Sequence, residues 1–279
     1  MSNFNVDGVK YVVVEGIDAA GKDTIVDYIR DTVIKYGKQP IVVNHGYSTE
    51  EGKLIIEGIK KGNGDPNTEI KSLFKLWNHI ALNIACDIND LIKEGIDPNN
   101  IVVILNRFTM STYVYQCIMK RGSISYFNEL NDAFKAKFNI DFTILLKCSQ
   151  RVQLQRLKAR EAMGLIPDVS ERNCNVNHNK MLNSYMSRFY AINDSGVIID
   201  TDYTLTIVKS NVLQALIDRG VVSEVIAEIV PTEPVELKEI TLSVKIACEK
   251  NYCNTTDIME KVEELIGVRY KVLSVESVE

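Results

Sequence analysis

The chain has no apolar run approaching the roughly 18 residues that a membrane-crossing helix requires. Its first segment, MSNFNVDGVK, also lacks the basic and apolar stretches of a secretory signal. A soluble cytoplasmic protein with no membrane partner is therefore expected. The six cysteines (Cys86, Cys117, Cys148, Cys174, Cys248 and Cys253) are scattered and form no CxxC pair, so neither a zinc knuckle nor a disulfide framework is legible. A basic excess is missing too: 32 Lys and Arg against 37 Asp and Glu leave a formal charge of −5. This argues against a broad nucleic-acid footprint and means that any anion has to be gripped locally. No internal repeat or low-complexity segment is present.

What remains is ordinary globular composition, 46% hydrophobic and 25% charged over 279 residues. At roughly 150 residues per domain, that allows one large domain with a modest appendage. Val9 to Glu15 is a valine-rich run closed by glycine, as suits a strand buried on both faces of a parallel sheet. From Asp23 to Lys35 the apolar residues Ile25, Val26, Ile29, Val33 and Ile34 recur at helical spacing, and Gly37 ends the helix. Further strand-like runs are Pro40 to Val43, Ile101 to Leu105, Phe142 to Leu146 and Val197 to Ile199. A long amphipathic helix from about Thr68 to Lys93 lies between the second and third. Strands alternating with helices imply βαβ units with right-handed crossovers, in a three-layer α/β/α arrangement around a parallel five-stranded sheet. After Ala215 the rhythm changes. Pro231 to Pro234 breaks the pattern, a strand-like run follows near Ile240 to Ala247, a helix with Asp257 and Glu260 spaced as a capping box spans about Thr256 to Ile266, and a last run covers Tyr270 to Val275. This predicts a core over 1–217 and a small α+β appendage over 218–279 whose role is unassigned.

Between the first strand and first helix the chain reads Glu15-Gly16-Ile17-Asp18-Ala19-Ala20-Gly21-Lys22-Asp23-Thr24. Strand, glycine loop and helix in that order are the context a phosphate-cradling P-loop requires. The loop's glycines let successive N–H groups and the helix N-terminus face one anion, while Lys22 reaches its terminal phosphates. The expected ligand is a nucleoside triphosphate with Mg²⁺. The residue after the lysine is normally Ser or Thr, whose hydroxyl touches the metal, and here it is Asp23. Either the Asp23 carboxylate or the Thr24 hydroxyl serves the ion.

EGIDAAGKDT resembles the EGxDxxGK(S/T)T loop of the thymidylate kinases, within the P-loop nucleoside monophosphate kinases. Asn106-Arg107-Phe108-Thr109-Met110-Ser111, continuing to Tyr113-Val114-Tyr115-Gln116, is similar to that family's DR(Y/F/H)xxSxxAYQ segment. Ser48 to Leu54 resembles the stretch after its second strand. Arg156-Leu157-Lys158-Ala159-Arg160 with Asp168-Val169-Ser170-Glu171 resembles its arginine-rich lid, here about 151–178. The resemblance covers roughly Lys10 to Leu216 and implies a P-loop NTPase fold, transfer of the ATP γ-phosphoryl group to a deoxynucleoside monophosphate, most obviously dTMP, and a homodimer. The apolar stripe of the Thr68 to Lys93 helix is a candidate dimer surface.

Carried over position by position, the resemblance implies that Gly16, Ala19, Ala20, Gly21, Lys22, Asp23, Thr24 and Arg156 meet ATP. Arg107 would hold the acceptor phosphate, a bidentate task, and Asp18 would lie near the sugar hydroxyl. Phe74 would stack the base, although Leu73, Phe74, Trp77 and Ile80 also form an ordinary core stripe. Ser111, Tyr115 and Gln116 would line the base pocket. Where the family's loop carries its own arginine this chain has Ala19, so the compensating cation is expected from the lid, Arg160 first and Arg156 second. Three positions depart from the pattern: Tyr47 and Asn78 stand where arginines are expected, and Asn106 replaces the aspartate of the DR pair. A charge moved from position 106 to Asp23 would leave both facing the metal side. Of the three histidines, His45, His79 and His178, none is assigned as a general base, because an acceptor phosphate is already anionic near neutral pH.

Overall fold

The computed structural model describes residues 4–44, 49–61, 64–165, 175–192 and 196–223. The proposed C-terminal strands and helix, and the DxxE element of the lid, lie outside the described residues.

The expected strands form one parallel sheet in the order β2-β3-β1-β4-β5. They are β1 Lys10–Gly16, β2 Gln39–Asn44, β3 Ile101–Asn106, β4 Phe142–Lys147 and β5 Val197–Asp200. The central strands are continuous β-branched runs because both faces are covered, which leaves no solvent side to call for polar residues. Side chains alternate between two cores at the two-residue period of a strand. Val12, Val14, Val102 and Ile104 join one cluster, with α1 (Lys22–Lys35), α7 (His178–Ala191) and α8 (Leu205–Asp218). Tyr11, Val13, Ile101, Val103 and Leu105 join the other, with α3 (Pro66–Lys93) and α5 (Ile124–Lys135). This is the three-layer P-loop arrangement.

Helix starts follow local chemistry. The Asp65 carboxylate accepts from the Thr68 N–H at 2.8 Å with Pro66 in the first turn, which sets α3 two residues ahead of the expected start. Thr49 caps α2 (Glu50–Lys60) through the Gly52 N–H, and Ser149 caps α6 (Gln150–Ala162) through the Val152 N–H. The apolar stripe of α3 is spent inside the subunit. Ile70, Phe74, Trp77, Ile80, Ile84 and Ile88 are all buried in its own second core, so that stripe is not the free surface proposed for dimerisation.

After β3 the chain makes a single α-turn, α4 (Thr109–Thr112), and then widens into a π-helical stretch, Tyr113–Met119. Such widened turns recur at functional sites because they re-aim successive side chains. Here the stretch faces the loop that follows β1.

Candidate active site

The C-terminal ends of β1, β2 and β3 lie level with one another. Asn106 pairs with Val14 on one side and Asn44 on the other. Ligand crevices of open parallel sheets form at this edge, and a cavity of about 770 Å³ opens there.

Its floor is the loop after β1. Gly16 has φ +144, and a Cβ at this position would sit 2.5 Å from the Leu146 carbonyl oxygen of β4, so no side chain fits. Ala19 and Gly21 also take positive φ, 60° and 98°, curling the backbone into the N-terminus of α1. Such curled loops present N–H groups to an anion. Lys22 is 6% exposed and folds back to donate to the carbonyls of Gly16 at 2.9 Å and Ile17 at 2.7 Å. Burial, with Arg107 nearby, pushes its ammonium down to about 8. The lysine is thus a desolvated cation that a bound polyphosphate would stabilise.

Arg107 enters from the end of β3 with φ +73, an uncommon conformation for a side-chain-bearing residue. Its backbone N–H is fixed on the Val14 carbonyl at 2.9 Å. The guanidinium pairs with Asp18 and donates to the Gly16 carbonyl and the Ser111 hydroxyl, both at 3.3 Å. The Tyr115 hydroxyl donates to the other Asp18 oxygen at 2.7 Å. Burial alone would raise the Asp18 carboxyl, but the Arg107 and Lys22 cations outweigh it and hold it below its ordinary value. Arg107 is thus held by protein partners on several sides.

Behind this pair sits Glu15, 1% exposed. It accepts from the backbone N–H groups of Phe108 at 2.8 Å and Ser111 at 3.1 Å, and from the Ser111 hydroxyl at 2.6 Å. Burial raises its carboxyl, against the hydrogen bonds and Arg107 that favour the charged form. Ser111 also meets the Tyr185 hydroxyl of α7 at 2.9 Å. Its hydroxyl is therefore engaged by protein groups although the residue borders the cavity.

Asp23 borders the cavity and Thr24 does not. Asp23 accepts from the Asn106 side-chain amide at 2.7 Å, and the same nitrogen reaches the Asn44 side-chain oxygen at 3.3 Å. Among the described residues no cluster of three or more His, Cys, Asp or Glu is placed to hold a metal. A cation here would complete its shell with phosphates and water, the usual arrangement for Mg²⁺.

Of the lid arginines, Arg160 borders the cavity from α6. Arg156, one turn earlier, is an anchor: it donates to the Ala19 carbonyl at 3.0 Å and to Thr201 through both its hydroxyl, 3.0 Å, and its carbonyl, 2.6 Å. Gln116 borders the cavity from the π-helical stretch. Phe74 and Asn78 are not brought there. Phe74 is 3% exposed among Phe127 and Phe134, with ring centroids at 5.5 and 6.2 Å, and Asn78 donates back to the Phe74 carbonyl at 2.7 Å. The α3 residue that reaches the cavity is Leu73. Tyr47 lies outside the described residues.

Several residues were missed in the sequence. Thr112 borders the cavity and is 2% exposed, with its hydroxyl buried and unpartnered. Its only signal was adjacency to Ser111. Gln153, fully buried on α6, donates to the Asp18 carbonyl at 2.9 Å and meets the His178 ring nitrogen at 2.8 Å. These two brace the loop from the lid side, and nothing in their spacing announced it.

A thymidylate kinase family profile matches residues 14–212. A thymidylate kinase of Mycoplasmoides gallisepticum is 25% identical over 215 residues, covering 74% of this chain and 93% of that protein. One of Caldicellulosiruptor saccharolyticus is 30% identical over 156 residues, 53% of this chain and 69% of that protein. One of Hahella chejuensis is 23% identical over 206 residues, 74% and 95% of the two chains. With the loop, Arg107 and the sheet edge in these positions and the profile spanning most of the chain, the protein belongs to the thymidylate kinase family of nucleoside monophosphate kinases.

Proposed function

We propose that this chain transfers the γ-phosphoryl group of ATP to the 5′-phosphate of dTMP, giving dTDP, with Mg²⁺ as the metal. The observation that carries the reading is that Lys22 and Arg107 border the same cavity at the sheet edge, with Asp18 between them. One cation suits the donor's phosphates and the other the acceptor's, and phosphoryl transfer needs mainly such alignment and charge stabilisation. The names of the relatives supply the thymidylate acceptor.

In this reading the backbone from Gly16 to Gly21 cradles the polyphosphate, and Lys22 exchanges its loop carbonyls for phosphate oxygens. Arg107 orients the acceptor phosphate, kept in place by Asp18, Tyr115 and Ser111. Arg160 adds positive charge from the lid, while Arg156 ties that helix to the loop. What Mg²⁺ supplies when bound is neutralisation of charge on the β- and γ-oxygens. In this reading Asp23, which borders the cavity as Thr24 does not, would hold it. The acceptor phosphate is anionic already, so no general base is required.

A second reading, another deoxypyrimidine monophosphate as acceptor, draws on Asn78. The guanidinium expected there is replaced by an amide tied to its own helix. A coupled ADP-release assay across dTMP, dUMP, dCMP, dGMP and dAMP tests both. Preferred turnover of dTMP supports the first, preference for dUMP or dCMP the second, and no acceleration by any of them overturns both.

A further inference from the structure

A P-loop usually places a neutral hydroxyl directly after its lysine. Here a carboxylate stands at that place, and polar side chains from two strands are gathered around it. The Asn106 amide nitrogen lies 2.7 Å from Asp23 and 3.3 Å from the Asn44 side-chain oxygen, so the tips of β2 and β3 meet the first turn of α1. Asn106 is 9% exposed, and its own side-chain oxygen is buried without a hydrogen-bond partner.

An unsatisfied buried acceptor is a standing cost. A half-turn of the amide would turn this oxygen toward Asp23 and Asn44, where three oxygens would repel unless a cation lay among them. One carboxylate with neutral oxygen donors is a hard donor set of the kind Mg²⁺ and Mn²⁺ accept, leaving positions for phosphate and water. The site's only negative charge among these three side chains comes from α1.

We propose that Asp23, oriented by the Asn106 amide that also reaches Asn44, is the metal-facing carboxylate of this chain, and that it makes nucleotide affinity conditional on a divalent cation. The proposal rests on the nucleotide-binding reading. A fixed negative charge beside Lys22 repels a polyphosphate when no cation is present, and attracts the complex once one is. A serine or threonine hydroxyl, being neutral, does neither. Asparagine at 106 suits both states, because its amide nitrogen donates to Asp23 when no cation is present and its oxygen can turn in when one is, whereas a second carboxylate would oppose Asp23 in the empty site.

The test is calorimetric titration of ADP into the full chain, once in EDTA and once in Mg²⁺, with Mn²⁺ electron paramagnetic resonance as a direct view of the ion in the ADP complex. A single charge facing phosphate near a protein surface is worth on the order of a thirtyfold change in affinity. The wild type should therefore bind ADP about thirtyfold more tightly with Mg²⁺ than in EDTA. Asp23→Ser should shrink that ratio to about threefold or less, chiefly by binding better in EDTA, and should alter the Mn²⁺ spectrum. Asp23→Ser combined with Asn106→Asp should restore the ratio. Asp23→Asn, which keeps the shape, should behave as Asp23→Ser does and guards against a folding artefact. An unchanged ratio in both single variants overturns the proposal while leaving nucleotide binding intact. No ADP binding by the wild type under either condition overturns the nucleotide-binding reading itself.

Discussion

The Asn106 side chain donates to the Asp23 carboxylate across 2.7 Å, joining the end of β3 to the first turn of α1. Replacing the donor by Asn106→Asp would set two carboxylates at hydrogen-bond distance, where they cannot both ionise without opposing each other. The variant should lose about 0.5–1.5 kcal/mol of stability in EDTA, the usual net worth of a hydrogen bond, since Asn106 is buried but Asp23 is exposed. Mg²⁺ should return most of it, since a cation between them turns repulsion into attraction. Thermal unfolding with and without the ion measures this; a loss that Mg²⁺ leaves untouched would count against a cation at this point.

Arg107 tests the acceptor side. Arg107→Lys keeps the charge but not the planar fork that meets Asp18, Gly16 and Ser111 together. Each charge-assisted hydrogen bond is worth about 1.5–3 kcal/mol, so KM for the monophosphate should rise about tenfold to a hundredfold while KM for ATP changes little. Arg107→Ala should do worse and also destabilise the fold, because Asp18 would be left buried beside only Tyr115 and Lys22. Equal effects on both substrates would place Arg107 in the loop's architecture and not on the acceptor.

Much of this site could be read from the chain because local backbone chemistry dictates it. A 2.5 Å approach admits no side chain at Gly16 and a φ of 98° strains one at Gly21, and the strands are apolar runs with only one stable use, so their limits fell within a residue or two. Which of two neighbouring residues faces the cavity was not legible at Leu73 and Phe74. Adjacent helical positions point about 100° apart, and the rotation of α3 is set by packing against Phe127 and Phe134 on a distant helix. Glu15 read as one letter of the loop motif, yet its partners Phe108 and Ser111 lie more than ninety residues onward. Arg156 looked like a free lid cation for the same reason: Thr201, the group that holds it, is far away in sequence.

The Leu73 and Phe74 assignment has a direct check. Phe74→Ala should cost about 3–5 kcal/mol of stability, as a deleted core aromatic does. Phe74→Leu should leave KM for the monophosphate nearly unchanged. Leu73→Phe, by contrast, adds volume at the cavity wall and should raise that KM. Steady-state kinetics on the two variants with comparable melting temperatures decides between them; a large KM change from Phe74→Leu alone would return the base-stacking role to Phe74.

Glu15 links stability to pH. Its carboxyl is raised by burial, so the protonated form is favoured in the fold relative to the unfolded chain. The stability this contributes is fully present below the unfolded-state value of 4.5 and is lost as pH rises through the higher folded value. Glu15→Gln keeps an oxygen for the Phe108 and Ser111 N–H groups and an amide toward the Ser111 hydroxyl, but it does not titrate. Its stability relative to the wild type should therefore climb as pH rises above about 4.5 and level off once Glu15 is ionised in the fold. Glu15→Ala removes the acceptor of two buried N–H groups and should cost about 2–6 kcal/mol at every pH, at about 1–3 kcal/mol for each. Urea midpoints for the three proteins between acid and neutral pH make the comparison. A constant difference between wild type and Glu15→Gln would mean that Phe108, Ser111 and Arg107 together offset the burial, leaving Glu15 ionised throughout as the fixed anchor of Ser111.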